Sequence, residues 1–150
     1  MKEENFSEYE IYDAKDKVLG RLASIVAKKL LQGKKVAIVN AEQLIITGNR
    51  DGIIKKYKTR LDLNERSNPE HAAYWPRRPD MLVKRIIRGM LPYHKKAIGK
   101  DSYRRLRVFI GVPEVFKDAK IISIDTKSPK DIYADYMRIS ELSEMLGYKR

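Results

Sequence analysis

Residues 11–39, IYDAKDKVLGRLASIVAKKLLQGKKVAIV, decide the fold of this chain. They begin with a short apolar segment, residues 11–14, which we predict to be a first strand. Residues 18–32 form the clearest helix because apolar side chains recur there at i, i+3 and i+4 spacing; Asp16 suits its N-cap and Gly33 its C-terminal end. Residues 36–39 are continuously apolar, as in a strand that is buried on both faces. A strand, a helix and a buried strand in succession predict a right-handed βαβ unit and a parallel sheet.

The rest of the chain carries weaker signals. Residues 59–79 are the least regular part, with three prolines around the only tryptophan, Trp75. The second good helix follows over residues 81–91, with Asp80 as its cap and Pro92 as its stop. The further predicted elements are a helical turn and short strand over 44–47, a loop over 48–52, a short helix over 52–57, strands over 106–110 and 121–124, and a helix over 140–146. We therefore predict one α/β domain with a small, mainly parallel sheet and helices on both faces.

The charge of the chain is concentrated in one segment. The 150 residues carry a net charge of +12, and residues 77–107 hold eleven Lys or Arg against Asp80 and Asp101, which is a net +9. A charge that served only solubility would be spread along the chain. The positive charges of such a surface repel one another unless an anion lies on it. Nucleic acid is a suitable anion, because each Lys or Arg that contacts a phosphate releases counterions and so raises the affinity.

The basic segment divides into three sets of side chains. Arg77 and Arg78 lie between prolines, in a stretch that should be extended and stiff. A second set shares one helix, and a third follows it, with Gly99 allowing a bend. Aromatic residues are interleaved with these charges, and such rings can stack on unpaired bases. No helix-turn-helix, zinc-finger or leucine-zipper pattern is present. A long basic excursion suits an irregular folded RNA better than a regular duplex.

Catalytic and membrane signals are missing from the sequence. There is neither a GxGxxG nor a GxxxxGK[ST] pattern, and the two histidines, His71 and His94, lack metal-ligand spacing. The absence of cysteine excludes disulfides and Cys-ligated zinc. The N-terminus has no apolar signal region, and no apolar run approaches the ~18 residues of a membrane span. We expect a cytoplasmic protein without cofactor, metal or small-molecule substrate.

Four sequence runs together resemble one known family. They are Asp13-Ala14 followed by Val18-Leu19-Gly20-Arg21-Leu22-Ala23-Ser24; Val39-Asn40-Ala41-Glu42 with Thr47-Gly48; Arg88-Gly89-Met90-Leu91-Pro92; and Leu106-Arg107-Val108-Phe109-Ile110-Gly111 with Pro113. In this order and spacing the chain resembles the ribosomal protein L13 family of the large ribosomal subunit. The likeness spans about residues 10–147 and is closer to the archaeal than to the bacterial form.

The resemblance implies a three-layer α/β/α fold with a four-stranded parallel sheet. It implies a structural protein that binds large-subunit ribosomal RNA, acts early in assembly, contacts neighbouring ribosomal proteins and catalyses nothing. We expect a core over about 10–58 and 106–147 and a basic RNA-binding extension over about 59–105. The candidate RNA-binding residues, from resemblance and charge, are Arg21, Asn49, Arg50, Lys55, Lys56, Lys58, Arg60, Trp75, Arg77, Arg78, Lys84, Arg85, Arg88, Gly89, His94, Lys95, Lys96, Lys100, Arg104 and Arg105.

Two other hypotheses remain open at this level. An RNA-modifying or nucleotide-using enzyme could share an α/β fold, although both phosphate-binding patterns are missing. A protein-interaction module could instead present the basic face to an acidic partner.

Overall fold

A four-stranded parallel sheet forms the centre of the molecule. The structure is a computed structural model that describes residues 8–63, 67–71, 73–116, 119–124 and 134–149. The strands are β1 (Tyr9–Asp13), β2 (Lys35–Val39), β4 (Leu106–Val108) and β5 (Ile121–Ile122), in the spatial order β4-β2-β1-β5. β1 and β2 pair in parallel from Tyr9 opposite Lys35 to Asp13 opposite Val39. This confirms the predicted βαβ unit and parallel sheet.

Five helices accompany the strands in the described part of the chain. They are α1 (Leu19–Leu31), α2 (Arg50–Asp62), α3 (Pro79–Met90), α4 (Ala97–Arg104) and α5 (Ile139–Met145). A separate antiparallel pair is formed by β3 (Ile45–Thr47) and β6 (Tyr136–Arg138). Gly33 ends α1 with φ +91°, where an L side chain would be strained, as the sequence predicted.

Each face of the sheet carries its own apolar layer, since successive side chains of a strand point to opposite faces. On one face, Tyr12, Val36 and Ile38 join the main core with the buried stripes of α1 and α3. On the other face, Ile11, Ala37 and Val39 pack with Phe116, which lies in the helical turn Glu114–Phe116. The fold is therefore a three-layer α/β/α arrangement, as expected.

Helix α3 belongs to this core although it lies within the basic segment. Leu82, Val83 and Ile87 are fully buried, and the helix packs against α1 and β4. Residues 59–105, which we expect to form the extension, therefore also contribute side chains to the apolar core. What sets this segment apart is its positive charge.

Both predicted aspartate caps are wrong. Helix α1 begins at Leu19 after Val18, and Asp16 has φ +53° and accepts a 2.9 Å hydrogen bond from Arg138 Nη2. Helix α3 begins at Pro79, whose fixed φ suits the first helical position. Asp80 consequently lies inside the first turn, where its carboxylate accepts from Arg78.

The structure also corrects one predicted loop and one predicted helix, and it adds a helix and a strand. The predicted loop over 48–52 is already helical from Arg50, and α2 continues to Asp62, well beyond the predicted helix over 52–57. Helix α4 and strand β6 were not predicted. Gly99 does not bend a loop, because it lies inside α4.

Candidate nucleic-acid interface

Two arginines from different helices lie against the ring of Trp75. The guanidinium carbons of Arg60, on α2, and Arg85, on α3, each lie 4.5 Å from the centre of the Trp75 ring. Tyr57 meets the same ring edge-on at 6.2 Å, and Arg60 also lies 5.2 Å from the centre of the Tyr57 ring. Such contacts are attractive because the ring face is electron-rich. The half-buried tryptophan therefore joins α2 to α3 and brings two cations together.

Arg85 carries its positive charge in a partly buried position. Burial lowers the pKa of Arg85 below its ordinary value, and the neighbouring charges of Arg88 and Arg60 lower it further. Its buried Nε has no hydrogen-bond partner among the described residues. An arginine remains charged nonetheless, so the protein holds a positive charge here against both burial and like-charge repulsion.

A second group of rings lies on the α4 side of α3. The guanidinium carbon of Arg88 is 5.1 Å from the centre of the Tyr93 ring, and Lys84 Nζ is 5.2 Å from the centre of the Tyr103 ring. Tyr93 and Tyr103 meet edge-to-face at 5.4 Å. Burial raises the pKa of Tyr103 above its ordinary value. Basic residues of α3 are thus linked by aromatic rings to α2 on one side and to α4 on the other.

Further predicted residues are exposed on α2, on α4 and in the turn between α3 and α4. Lys55, Lys56 and Lys58 are exposed on α2, and Lys100 is exposed on α4. His94, Lys95 and Lys96 are exposed in the turn between α3 and α4, where the His94 and Tyr93 rings meet edge-to-face at 5.2 Å. Gly89 is exposed near the end of α3, with no atom within 4 Å of where its Cβ would lie. We call the surface of α2, α3, α4 and the α3–α4 turn the basic face.

Three predicted residues make contacts within the protein. Asn49 caps α2, since its Oδ1 accepts from the amides of Asp51 at 2.9 Å and Gly52 at 3.3 Å. Arg50 forms a 3.3 Å ion pair with Glu141 of α5. Arg105 is half-buried, and its Nη2 donates to the Leu30 carbonyl at 3.0 Å. These contacts give each residue a structural role that charge and sequence position did not reveal.

Arg104 differs sharply from its neighbour Arg105. Its side chain is 80% exposed, and its contact with Asp101 is a long 3.5 Å ion pair. Arg21 is also exposed, but it lies on α1 rather than on the helices of the basic face. Sequence alone could not separate these environments, because all three arginines lie in or beside helices.

The extended arm before α3 borders an open cleft of about 640 Å³. Arg77 and Arg78 lie on its wall, with Arg78 paired to Asp80 at 2.9 Å. Tyr74 also lines the cleft and is 80% exposed, which is unusual for so large a ring. Tyr74 is one of the aromatic residues that are interleaved with the basic residues in the sequence. Its exposure, which marks it out among them, is not visible in the sequence.

The described residues contain neither a candidate metal site nor a candidate membrane-spanning helix. No group of three or more His, Cys, Asp or Glu among them could hold a metal ion. None of the described helices is long and apolar enough to cross a membrane.

Comparison with known proteins gives a consistent result. The family described as Ribosomal protein L13 matches residues 7–115. "Large ribosomal subunit protein uL13" of Methanosphaera stadtmanae is 42% identical over 140 residues, which is 93% of this chain and 97% of that protein. The protein of the same name from Methanosarcina barkeri is 43% identical over 141 residues, covering 93% and 98%. The one from Archaeoglobus fulgidus is 40% identical over 144 residues, covering 95% and 90%.

Proposed function

Because this chain belongs to the ribosomal protein L13 family, we propose that its basic face binds large-subunit ribosomal RNA and helps that RNA to fold during early assembly. The family is one of structural ribosomal proteins, so the chain is a structural component of the large ribosomal subunit and not an enzyme. RNA binding, the residues that carry it and the role in assembly are the proposal.

The cluster around Arg85 is the observation that carries this proposal. Arg60 and Arg85 share one indole ring, and Arg88 is close enough to lower the pKa of Arg85. Like charges gathered in a half-buried site cost free energy, and a polyanion that lies across them removes that cost. RNA supplies closely spaced phosphates, which arginine matches with two parallel hydrogen bonds.

The aromatic rings suggest how the face acts on RNA. Rings fix the long side chains of α3, so less conformational entropy is lost when each cation meets a phosphate. Cations on α2, α3 and α4 can then neutralise phosphates of separate RNA segments and hold these segments together. The core over about 10–58 and 106–147 would serve as the rigid support, and residues 59–105 would supply most of the contacts.

The candidate residues fall into two groups under this proposal. The structural roles of Asn49, Arg50 and Arg105 make them supports of the face, and Arg21 would be a separate contact on α1. The residues assigned to direct RNA contact are Lys55, Lys56, Lys58, Arg60, Trp75, Arg77, Arg78, Lys84, Arg85, Arg88, Gly89, His94, Lys95, Lys96, Lys100 and Arg104. The ribosome places the protein in the cytoplasm, beside other large-subunit proteins.

Sedimentation of native cell extracts tests the ribosomal part of this proposal. The chain should co-sediment with large ribosomal subunits in a sucrose gradient and remain there after a moderate salt wash. Binding of the purified protein to large-subunit ribosomal RNA should weaken steeply as salt rises, since each phosphate contact releases counterions. Salt-independent binding, or a protein found only at the top of the gradient, would contradict the proposal.

A further inference from the structure

We infer that the cleft beside Trp75 receives an unstacked base of a single-stranded RNA segment, an inference that rests on the proposed RNA binding. Its lining includes Leu61, Tyr74, Trp75, Pro76, Arg77 and Met81. Contacts with the phosphates of RNA can be made on open surface and do not require a cleft. A concave site lined by aromatic and apolar side chains calls for a ligand with a flat apolar part.

The dimensions of the cleft suit a nucleotide. Its volume of about 640 Å³ lies inside the range of roughly 300–1,000 Å³ that is typical of small-molecule sites. An RNA base that leaves its stack exposes a flat π surface, and such bases are bound by stacking on Tyr, Phe and Trp rings. A base together with its sugar can therefore occupy this space.

Tyr74 is the cleft residue that best supports a stacked base. Its side chain is 80% exposed although it lines the cleft, and Met81, which also lines the cleft, is 49% exposed. Trp75, by contrast, already has Arg60 and Arg85 against its ring. Tyr74 therefore has ring surface available for stacking, while Trp75 lies beside it as a fixed wall.

Charge selects RNA over a peptide as the occupant. Arg77 and Arg78 stand at the cleft within the segment of net +9, where they can meet the phosphates on either side of an inserted base. A proline-rich peptide would also suit an aromatic groove, but its uncharged backbone would supply no anion to Arg77, whereas Arg78 already pairs with Asp80. Pro69 and Pro76 belong to the lining and have restricted backbone φ angles, which lowers the conformational entropy lost on binding at these two positions.

Trp75 is the only tryptophan of the chain, so its fluorescence reports on the cleft. The experiment titrates the full-length protein with a twelve-nucleotide oligoadenylate and with an abasic ribose-phosphate oligomer of equal length. Both carry the same phosphates, and only the first carries bases. We expect the oligoadenylate to quench Trp75 and to bind more tightly than the abasic oligomer by on the order of ten-fold, as one stacked base provides.

Three tyrosine variants complete the test. Tyr74→Ala should lose most of the preference for oligoadenylate while its affinity for the abasic oligomer stays unchanged, and Tyr74→Phe should keep the preference. Tyr136→Ala is the matched control, because Tyr136 is 43% exposed on β6, outside the basic segment. It removes the same side chain without changing charge and should leave both affinities intact.

The outcomes separate this inference from the proposed function. If large-subunit ribosomal RNA binds with the expected salt dependence but both oligomers bind equally, the base cleft is overturned and RNA binding stands. If neither the ribosomal RNA nor the oligomers bind, both fail. Quenching of Trp75 by a proline-rich peptide, with none by oligoadenylate, would overturn the inference in favour of a protein partner.

Discussion

Gly99 of α4 lies against the backbone of Pro92, where a Cβ atom at position 99 would be only 2.4 Å from both the carbonyl carbon and the carbonyl oxygen of Pro92. Position 99 is buried, and the contact seats α4 on the turn that ends α3. This seating accompanies the edge-to-face contact of Tyr93 with Tyr103, the rings beside which Arg88 and Lys84 lie. One glycine therefore sets how α3 and α4 meet in the basic face.

Gly99→Ala should destabilise the protein even though alanine is the better helix former. The added methyl group meets backbone, which cannot move aside as a flexible side chain would, so α4 must shift. We expect the free energy of unfolding to fall by about 1–3 kcal/mol, the usual cost of overpacking, as measured by urea denaturation.

Gly89→Ala on α3 is the matched control for that substitution. Apart from its chain neighbours and the backbone of its own helix, nothing lies within 4 Å of the added methyl group. Stability should therefore rise by up to about 1 kcal/mol, the helix preference for Ala over Gly. Weakened ribosomal RNA binding in this stable variant would indicate that RNA approaches the helix closely there. A Gly99→Ala protein as stable as the wild type would refute the tight contact.

Arg105→Ala and Arg104→Ala should separate support from RNA contact in adjacent residues. Arg105 Nη2 donates to the Leu30 carbonyl at 3.0 Å and to Ser102 Oγ at 3.2 Å. Its loss should lower the free energy of unfolding by roughly 1.5–3 kcal/mol, as for hydrogen bonds from charged groups. Loss of the 80% exposed Arg104 should change stability by less than about 0.5 kcal/mol.

For the salt dependence of RNA binding, we expect the larger effect in Arg104→Ala, whereas the larger loss of stability is expected in Arg105→Ala. We expect Arg104→Ala to reduce the slope of log affinity against log salt by about one and Arg105→Ala to leave the slope unchanged. Equal slopes in the two variants would contradict the assignment of Arg104 to RNA contact and of Arg105 to support.

The triple variant Lys84→Ala, Arg85→Ala, Arg88→Ala should lower the salt slope for ribosomal RNA binding by about three, near one unit for each lost phosphate contact. Filter binding over a range of salt concentrations measures this slope. Because these side chains pack against Tyr103, Trp75 and Tyr93, circular dichroism should first confirm that the variant is folded.

The control for the triple variant removes the same charge elsewhere. Lys15, Lys120 and Lys149 are exposed and lie outside the basic face. Replacing all three by Ala also takes the net charge from +12 to +9. If affinity depended on net charge alone, both variants would bind alike; we expect the slope of the control to change by less than one.

Tyr12 should make stability fall between about pH 10 and pH 12. Burial, aided by a 2.8 Å hydrogen bond to Glu10, raises the pKa of Tyr12 from its usual value near 10 to about 12. In this window the unfolded chain has released the phenolic proton and the folded chain has kept it. Rising pH therefore favours unfolding.

Tyr12→Phe removes the phenol and with it this pH dependence. The variant thereby distinguishes the effect of Tyr12 from that of other groups that titrate at high pH. The difference in unfolding free energy between the wild type and Tyr12→Phe should be constant below pH 9. It should then shift in favour of the variant as pH rises to 12. Parallel stability curves across this range would show that the Tyr12 phenol ionises equally in the folded and unfolded chains.

Local pattern was enough to predict the βαβ unit, the parallel sheet and the second amphipathic helix, because the spacing of apolar residues that indicates a helix or a strand is visible within a short stretch of sequence. It was not enough for α4, where eight residues contain Gly99 and few apolar side chains. It also misplaced both caps, since Asp16 and Asp80 accept hydrogen bonds from arginines rather than from helix amides. Strand β6 has only three residues and exists because Ile45–Thr47 lies beside it.

The sequence by itself determined that this chain is an α/β domain with a strongly basic segment, since burial periodicity and charge are properties of short stretches. Only the tertiary structure decided what each basic residue does. Arg60 and Arg85 are 25 positions apart, yet both contact Trp75, while the adjacent Arg104 and Arg105 are an exposed cation and a half-buried support. The physical reason is that burial and contact distance fix the free energy of a charge, and both depend on how distant segments pack.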